Sequence, residues 1–363
     1  MILILVIVAV FVLITILFMQ QASFGKLPSG ERLERIKRSP QYGKGSFQNQ
    51  SPTPQLTGGV SLFTVSRDFL FGKHERKQPD RILPSVKREL VARPSSAQPE
   101  LTWFGHSSYL VQVNQLNILV DPVFSERTSP VQYAGTKAFA GSNVYSAADM
   151  PDIDILLITH DHYDHLDYGT IMQLKEKVKL FVTSLGVGAH LEYWGIPPGK
   201  IRELDWWENT RITNDTAFTA TPSRHFSGRG FKRNQTLWSS FVLETGSYRI
   251  YLGGDSGYDQ HFKVIGERFG PFDLAILEDG QYNVYWANIH MMPEETAQAA
   301  VDLKAKILFP VHWGKFALAT HPWDESIQRV LKQSEALKVK VITPQIGERI
   351  VLDDSHSYTH WWQ

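Results

Sequence analysis

Apolar and polar positions divide the chain into three stretches. Met1 to Met19 is an apolar run without charge whose one polar side chain is Thr15. As a helix, 19 residues rise about 28 Å, close to the roughly 30 Å thickness of a hydrocarbon layer. The run therefore predicts an uncleaved membrane anchor. A signal peptide and a buried apolar helix are the alternatives, but no Lys or Arg opens the run and Gln20-Gln21-Ala22-Ser23 is a poor cleavage sequence. Lys26, Arg32, Arg35, Lys37 and Arg38 follow it, diluted only weakly by Glu31 and Glu34. That basic flank predicts a cytoplasmic location for the rest of the chain. Residues 20–98 are expected to be a linker and an arm laid on the domain, since the stretch from Gln41 to about Gln98 is rich in Gly, Ser, Pro, Gln and charge. Gly58-Gly59-Val60-Ser61-Leu62-Phe63 and Phe69-Leu70-Phe71 are its expected docking points.

Residues 99–363 carry the globular pattern. Short strands are expected at 101–106, 108–113, 117–120, 180–183, 217–220, 273–277, 307–311 and 339–343. Residues 239–244 and 248–252 should form a hairpin through Thr245-Gly246-Ser247. Ile153 to Thr159 is a continuous apolar run, the mark of a strand buried on both faces. Helices are expected at 169–177, 293–304 and 324–337, the second opening on Pro293-Glu294-Glu295. Strands with helices interspersed in both halves predict an α/β domain of two stacked sheets covered by helices.

Composition narrows the function. The 363 residues include 37 basic and 37 acidic side chains, a balance that argues against nucleic acid as partner. There is no cysteine, so any metal must be held by carboxylates and by some of the 13 histidines.

The chemistry sits at strand ends. Thr159-His160-Asp161-His162-Tyr163-Asp164-His165-Leu166-Asp167 follows the buried strand with three His and three Asp in eight residues. Burying so many polar groups without partners would cost several kcal/mol each. His160 and His162 alternate and can reach one ion; Asp164 and His165, past the bend, can reach a second. Three further candidates each follow an apolar strand: His225, Asp255 after Gly253-Gly254, and His312. The two glycines are expected to let the backbone turn and present the carboxylate.

This set resembles the metallo-β-lactamase fold superfamily. Trp103-Phe104-Gly105-His106, Asp121-Pro122-Val123-Phe124-Ser125, Leu204-Asp205-Trp206-Trp207-Glu208, Gly254-Asp255-Ser256-Gly257-Tyr258, Arg268 to Ala275 and His312-Trp313-Gly314-Lys315 are similar to the N-acyl-phosphatidylethanolamine-hydrolysing phospholipase D family and its bacterial relatives. The resemblance covers about residues 100–350. It implies a four-layer αββα sandwich holding two zinc ions, with His160, His162 and His225 on the first, Asp164, His165 and His312 on the second, and Asp255 bridging both. The expected activity is hydrolysis of a phospholipid-like phosphodiester. A lactonase, esterase or amidase of the same fold and a non-catalytic metal-binding envelope protein are the other readings. A homodimer is a candidate assembly.

The chemistry also follows from two ions as such. Roughly 3.5–4 Å apart, they share a bridging water and lower its pKa from about 15.7 toward 7, giving a hydroxide nucleophile. Asp164 and Asp255 are then candidate catalytic groups, Asp164 by holding or deprotonating the water. His290, ahead of the helix at 293, is a candidate to position an oxyanion or protonate a leaving group, with helix capping or core packing as the alternative. His106 is expected to act behind the ligands or structurally. Trp206, Trp207, Tyr282, Tyr285 and Trp286 could line an acyl groove, touch a membrane surface or pack in the core.

Overall fold

The computed structural model describes residues 1–91, 98–352 and 357–363; residues 92–97 of the predicted arm, 353–356 of the predicted hydrolase domain and the side chain of Leu70 lie outside the described residues. Fourteen strands form two sheets: β1 (Glu100–Trp103), β2 (Tyr109–Val113), β3 (Leu116–Val120), β4 (Ile153–Ile158), β5 (Val178–Ser184), β6 (Ile201–Leu204), β7 (Asn209–Thr213), β8 (Thr216–Thr221), β9 (Ser240–Thr245), β10 (Tyr248–Leu252), β11 (Leu274–Glu278), β12 (Ile307–Val311), β13 (Lys340–Val341) and β14 (Arg349–Val351). The first seven-stranded sheet has the order β6-β5-β4-β3-β2-β1-β14, and the second runs from β7 to β13 in sequence order.

Each central strand is apolar on both faces, and its alternation decides what each face meets. Ile155 and Leu157 of β4 point between the sheets, with Ile118 and Val120 of β3, toward Phe241, Leu243, Ile250, Leu252, Leu274, Ile276 and Phe309. Their neighbours Leu156 and Ile158 face outward onto Ile171 and Leu174 of the helix Tyr168–Leu174. On the other side Val242, Tyr251, Ala275 and Leu277 meet Phe262, Ile265, Ala299, Ala300 and Val330 of the helices His261–Phe269, Pro293–Asp302 and Glu325–Leu337. The result is the expected αββα sandwich.

Strand direction gathers the chemistry. β3, β4, β5 and β6 are parallel, β2 is antiparallel to both β1 and β3, and β10 to β13 are parallel. β9 is antiparallel to both β8 and β10. The carboxyl ends of β1, β3 and β4 therefore share one edge of the first sheet. Those of β8, β10, β11 and β12 share one edge of the second.

The arm is more tightly bound than a linker. Ile36, from the helix Gly30–Lys37, and Phe47 are buried against Leu185, Trp206, Leu237 and Trp238. Arg32 lies 2.7 Å from Glu203 and also pairs with Glu192. The expected docking points behave differently: Leu62, Phe63 and Phe71 are exposed, and the segment is a helix, Leu62–Phe71, capped by Ser61. The helix Ile2–Met19 contains no buried residue. It is long and apolar enough to cross a membrane.

Candidate metal centre

Seven side chains from four loops converge at the shared edge. His160, His162, Asp164 and His165 come from the turn after β4, His225 from the segment after β8, Asp255 from the turn after β10 and His312 from the end of β12. They form two clusters whose facing atoms all lie within 4.8 Å of one another: His160, His162, His225 and Asp255 in one, and Asp164, His165, His312 and His106 in the other. Asp255 also groups with His290 and His312. Its Oδ2 is 3.2 Å from His165, 3.7 Å from His225 and 3.8 Å from His160, so it reaches both clusters.

Hydrogen bonds behind the rings fix which nitrogen faces inward. Thr159 Oγ1 donates to Asp121 Oδ2 at 2.6 Å, so the hydroxyl oxygen is free to accept from His160 Nδ1 at 3.0 Å. His165 Nδ1 donates to the Asp121 carboxylate at 2.8 Å, and His225 Nδ1 to the carbonyl of Ile289 at 2.8 Å. With the proton on Nδ1, the inward Nε2 atoms of the neutral His160 and His225 rings are bare lone pairs. His160 Nε2 and His225 Nε2 lie 3.0 and 3.2 Å from the same His162 Nδ1. His165 Nε2 faces the carboxylates of Asp164 at 3.6 Å and Asp255. Lone pairs converging on carboxylates need positive charge among them. His162 Nε2, His165 Nε2, His312 Nε2 and Asp255 Oδ1 are buried without a hydrogen-bond partner among the described residues. This donor set fits divalent cations.

Electrostatics agree with that pattern. Burial pushes His160, His225 and His312 well below the ordinary imidazole range, and neighbouring imidazoles push the same way. Burial also lowers His165, but Asp255, Asp164 and Asp121 outweigh it and hold the ring well above its usual value. Burial would raise Asp164 and Asp255, yet His165 above all keeps both well below the carboxylate range.

Backbone detail explains the sharp presentation. His106 and His312 both adopt left-handed backbone, at φ +53° and +69°, a strain concentrated at sites where surroundings over-determine it. Gly253 and Gly254 do not turn this way. They are needed for close approach, since a Cβ would lie 2.5 Å from Ile276 O and 2.7 Å from Ser239 O.

A β-lactamase superfamily domain model matches residues 116–313. The chain belongs to the β-lactamase superfamily. It is accordingly a metal-dependent hydrolase of the metallo-β-lactamase fold. An uncharacterised protein of Mycobacterium tuberculosis is 38% identical over 90% of this chain and 88% of its own length. The N-acyl-phosphatidylethanolamine-hydrolysing phospholipase D 1 of Caenorhabditis elegans is 31% identical over 84% of this chain and 90% of its own. Among solved structures, the metallo hydrolase Igni18 of Ignicoccus hospitalis superposes with a TM-score of 0.54 at 20% identity, covering 71% of this chain and all of that one.

Other expected residues fall in different places. His290 lines the cleft, with Nδ1 3.4 Å from Glu278 Oε2. His106 is fully buried, and its Nε2 lies 2.9 Å from Asp164 Oδ2, so it bears on the site through that carboxylate. Of the five aromatics, only Trp286 lines the cleft. Trp206 packs in the core under the arm, Trp207 stacks beneath Arg268 and buried Tyr282 stacks on His321.

Several supporting residues carried no sequence signal of their own. Asp121 stood in a noted motif without a role. Asn49 accepts from His225 N at 3.1 Å and donates to His225 O at 2.7 Å, gripping that backbone from the arm. Buried Arg229 donates to the carbonyls of Asp161, Leu166 and Ser23, tying the histidine-rich turn to the start of the arm.

Proposed function

We propose that the chain is a dinuclear zinc phosphodiesterase of phospholipase D type, acting on N-acyl-phosphatidylethanolamine-like lipids. The observation that carries this reading is the shape of the cleft over the two clusters. Its cavity of about 300 Å³ is floored by His162, Asp164, His225, Asp255 and His312, and walled by Leu56, Phe226, Trp286, Ile289 and Leu318. Candidate metal ligands and apolar side chains lining one cavity suit a phosphodiester joined to acyl chains. The 31% identity to the worm enzyme supports the same substrate class.

His160, His162 and His225 would hold one zinc, Asp164, His165 and His312 the other, with Asp255 between them. Such ions supply Lewis acidity and lower the pKa of a bound water toward neutrality. The chain's own groups do the positioning. His106 orients Asp164, which is placed to accept a proton from the attacking water. His290, fixed by Glu278 at the cleft wall, is placed to give a proton to the departing oxygen. Ile2–Met19 would anchor the protein in a membrane with the hydrolase on the cytoplasmic side.

The test uses the purified full chain in detergent micelles. Elemental analysis should find close to two zinc ions per chain, and N-acyl-phosphatidylethanolamine should yield phosphatidic acid. Turnover of lactones with none on the lipid would overturn the substrate, and one zinc or none would overturn the dinuclear centre.

A further inference from the structure

The last turn of the helix Ile2–Met19 and the mouth of the metal cleft share a wall. Met19, Phe24, Arg229, Gly230 and Phe231 line one continuous groove that ends at His162 and Asp164. A second groove along the other side joins Ile16, Met19 and Lys26 to Phe231. Contact is close, because a Cβ on Gly230 would lie 3.0 Å from the Met19 side chain. Beside this helix end the loop from Gly228 to Arg233 projects Phe231, an 82% exposed aromatic. Exposed Lys26, Lys232 and Arg233 surround it. The base of the loop is rigid: Gly228 N donates to buried Asp161, and Arg229 is clamped by three carbonyls. An exposed ring on a braced loop has no packing role.

We propose that the 228–233 loop is an interfacial seat that rests the cleft mouth on an anionic phospholipid surface. Phe231 enters the boundary between head groups and acyl chains, while Lys26, Lys232 and Arg233 meet lipid phosphates. The inference rests on the anchor reading of Ile2–Met19, because continuity with that helix is what places the loop at the interface. An aromatic beside basic residues at the end of an apolar helix has the chemistry of the membrane–water boundary. The groove then opens sideways from the bilayer toward His162 and Asp164, so a lipid can reach the site with its chains still largely in the membrane.

The absence of cysteine makes the test direct. Full-length Phe231→Cys, labelled with an environment-sensitive fluorophore, is reconstituted in phosphatidylcholine vesicles containing phosphatidylglycerol and brominated acyl chains. Phe11→Cys reports insertion of the helix, and Val264→Cys, on the outer helical layer, reports water. Label at 231 should shift to the blue and lose most of its emission to bromine, as at 11, while 264 stays unquenched. An aqueous signal at 231 with quenching at 11 overturns the seat and leaves the anchor standing. Aqueous signals at both overturn the anchor reading and the seat with it. Charge reversal at Lys232 and Arg233 should abolish any gain in quenching from phosphatidylglycerol, and an unchanged gain overturns the phosphate contacts.

Discussion

Asp121 and Asp255 are both buried carboxylates at this edge, and neutralising them should have different consequences. Asp255 lies among four imidazoles of the two clusters, so Asp255→Asn removes charge that the proposed pair of divalent ions would require. Turnover should vanish and bound zinc should fall, while near-ultraviolet circular dichroism remains that of the parent. Asp121 touches no cleft; it orients His165 and, through Thr159, His160. Asp121→Asn should lower zinc affinity by about 10–100-fold, read by competition with a chelator. Lys315 tests burial alone. Its amine is fully buried on the carbonyls of Phe104 and Val123, and burial pushes its pKa down to about 7 from an unfolded 10.5. The unfolded chain therefore binds the extra proton between those values, so this group makes stability rise from pH 7 to 10.5 and leaves its full penalty in place below 7. Lys315→Met should flatten that rise in thermal melts across the alkaline range. The clustered histidines were legible because few structures other than a metal site concentrate so many imidazoles after a buried strand. Asp121, Asn49 and Arg229 were not, since a lone polar residue has no pattern until folding brings it beside its partner.

Among elements, the arm is where the sequence was least informative. A stretch rich in Gly, Ser and Pro reads as linker, but Ile36 and Phe47 fill a core pocket and Asn49 grips His225. Those contacts depend on isolated apolar residues that make no periodic signal. Asn49→Ala would leave the backbone N–H and C=O of His225 without these partners, while the indole of Trp238 keeps the carbonyl of Ser223. The expected cost is about 1–3 kcal/mol, measured by urea unfolding, with weaker zinc binding alongside. A chain shortened to begin at Gln41 loses Ile36 and the carbonyl of Ser23 that accepts from Arg229. It should melt lower than one beginning at Gln20, which keeps both. The strands that escaped detection share a cause. All three lie at sheet edges: β6 is four residues long with two of them buried, β7 alternates between exposed and half-buried positions, and β14 is three residues long, so none carries enough apolar weight to stand out. The central strands β4, β10, β11 and β12 were legible because both of their faces are buried.

For the whole molecule, the proposed anchor at Ile2–Met19 predicts its own fractionation. Full-length protein should sediment with membranes and resist a high-salt wash, because apolar burial of the helix is insensitive to screening. Removal of residues 2–19 should release a soluble protein, since none of them is buried in the fold. Recovery of the intact chain in the salt wash would count against the anchor. The strand order has a separate bearing on how the molecule is made. The first sheet is finished by β14, which pairs with β1 from the far end of the sequence. While a nascent chain leaves the ribosome, β1 keeps an open hydrogen-bonding edge until residue 351 has been synthesised. His312, too, arrives only after most of the sequence has been translated. Metal capture and closure of that sticky edge therefore wait for residues 312 and 351, and a ribosome stalled between them would leave behind a chain primed to aggregate.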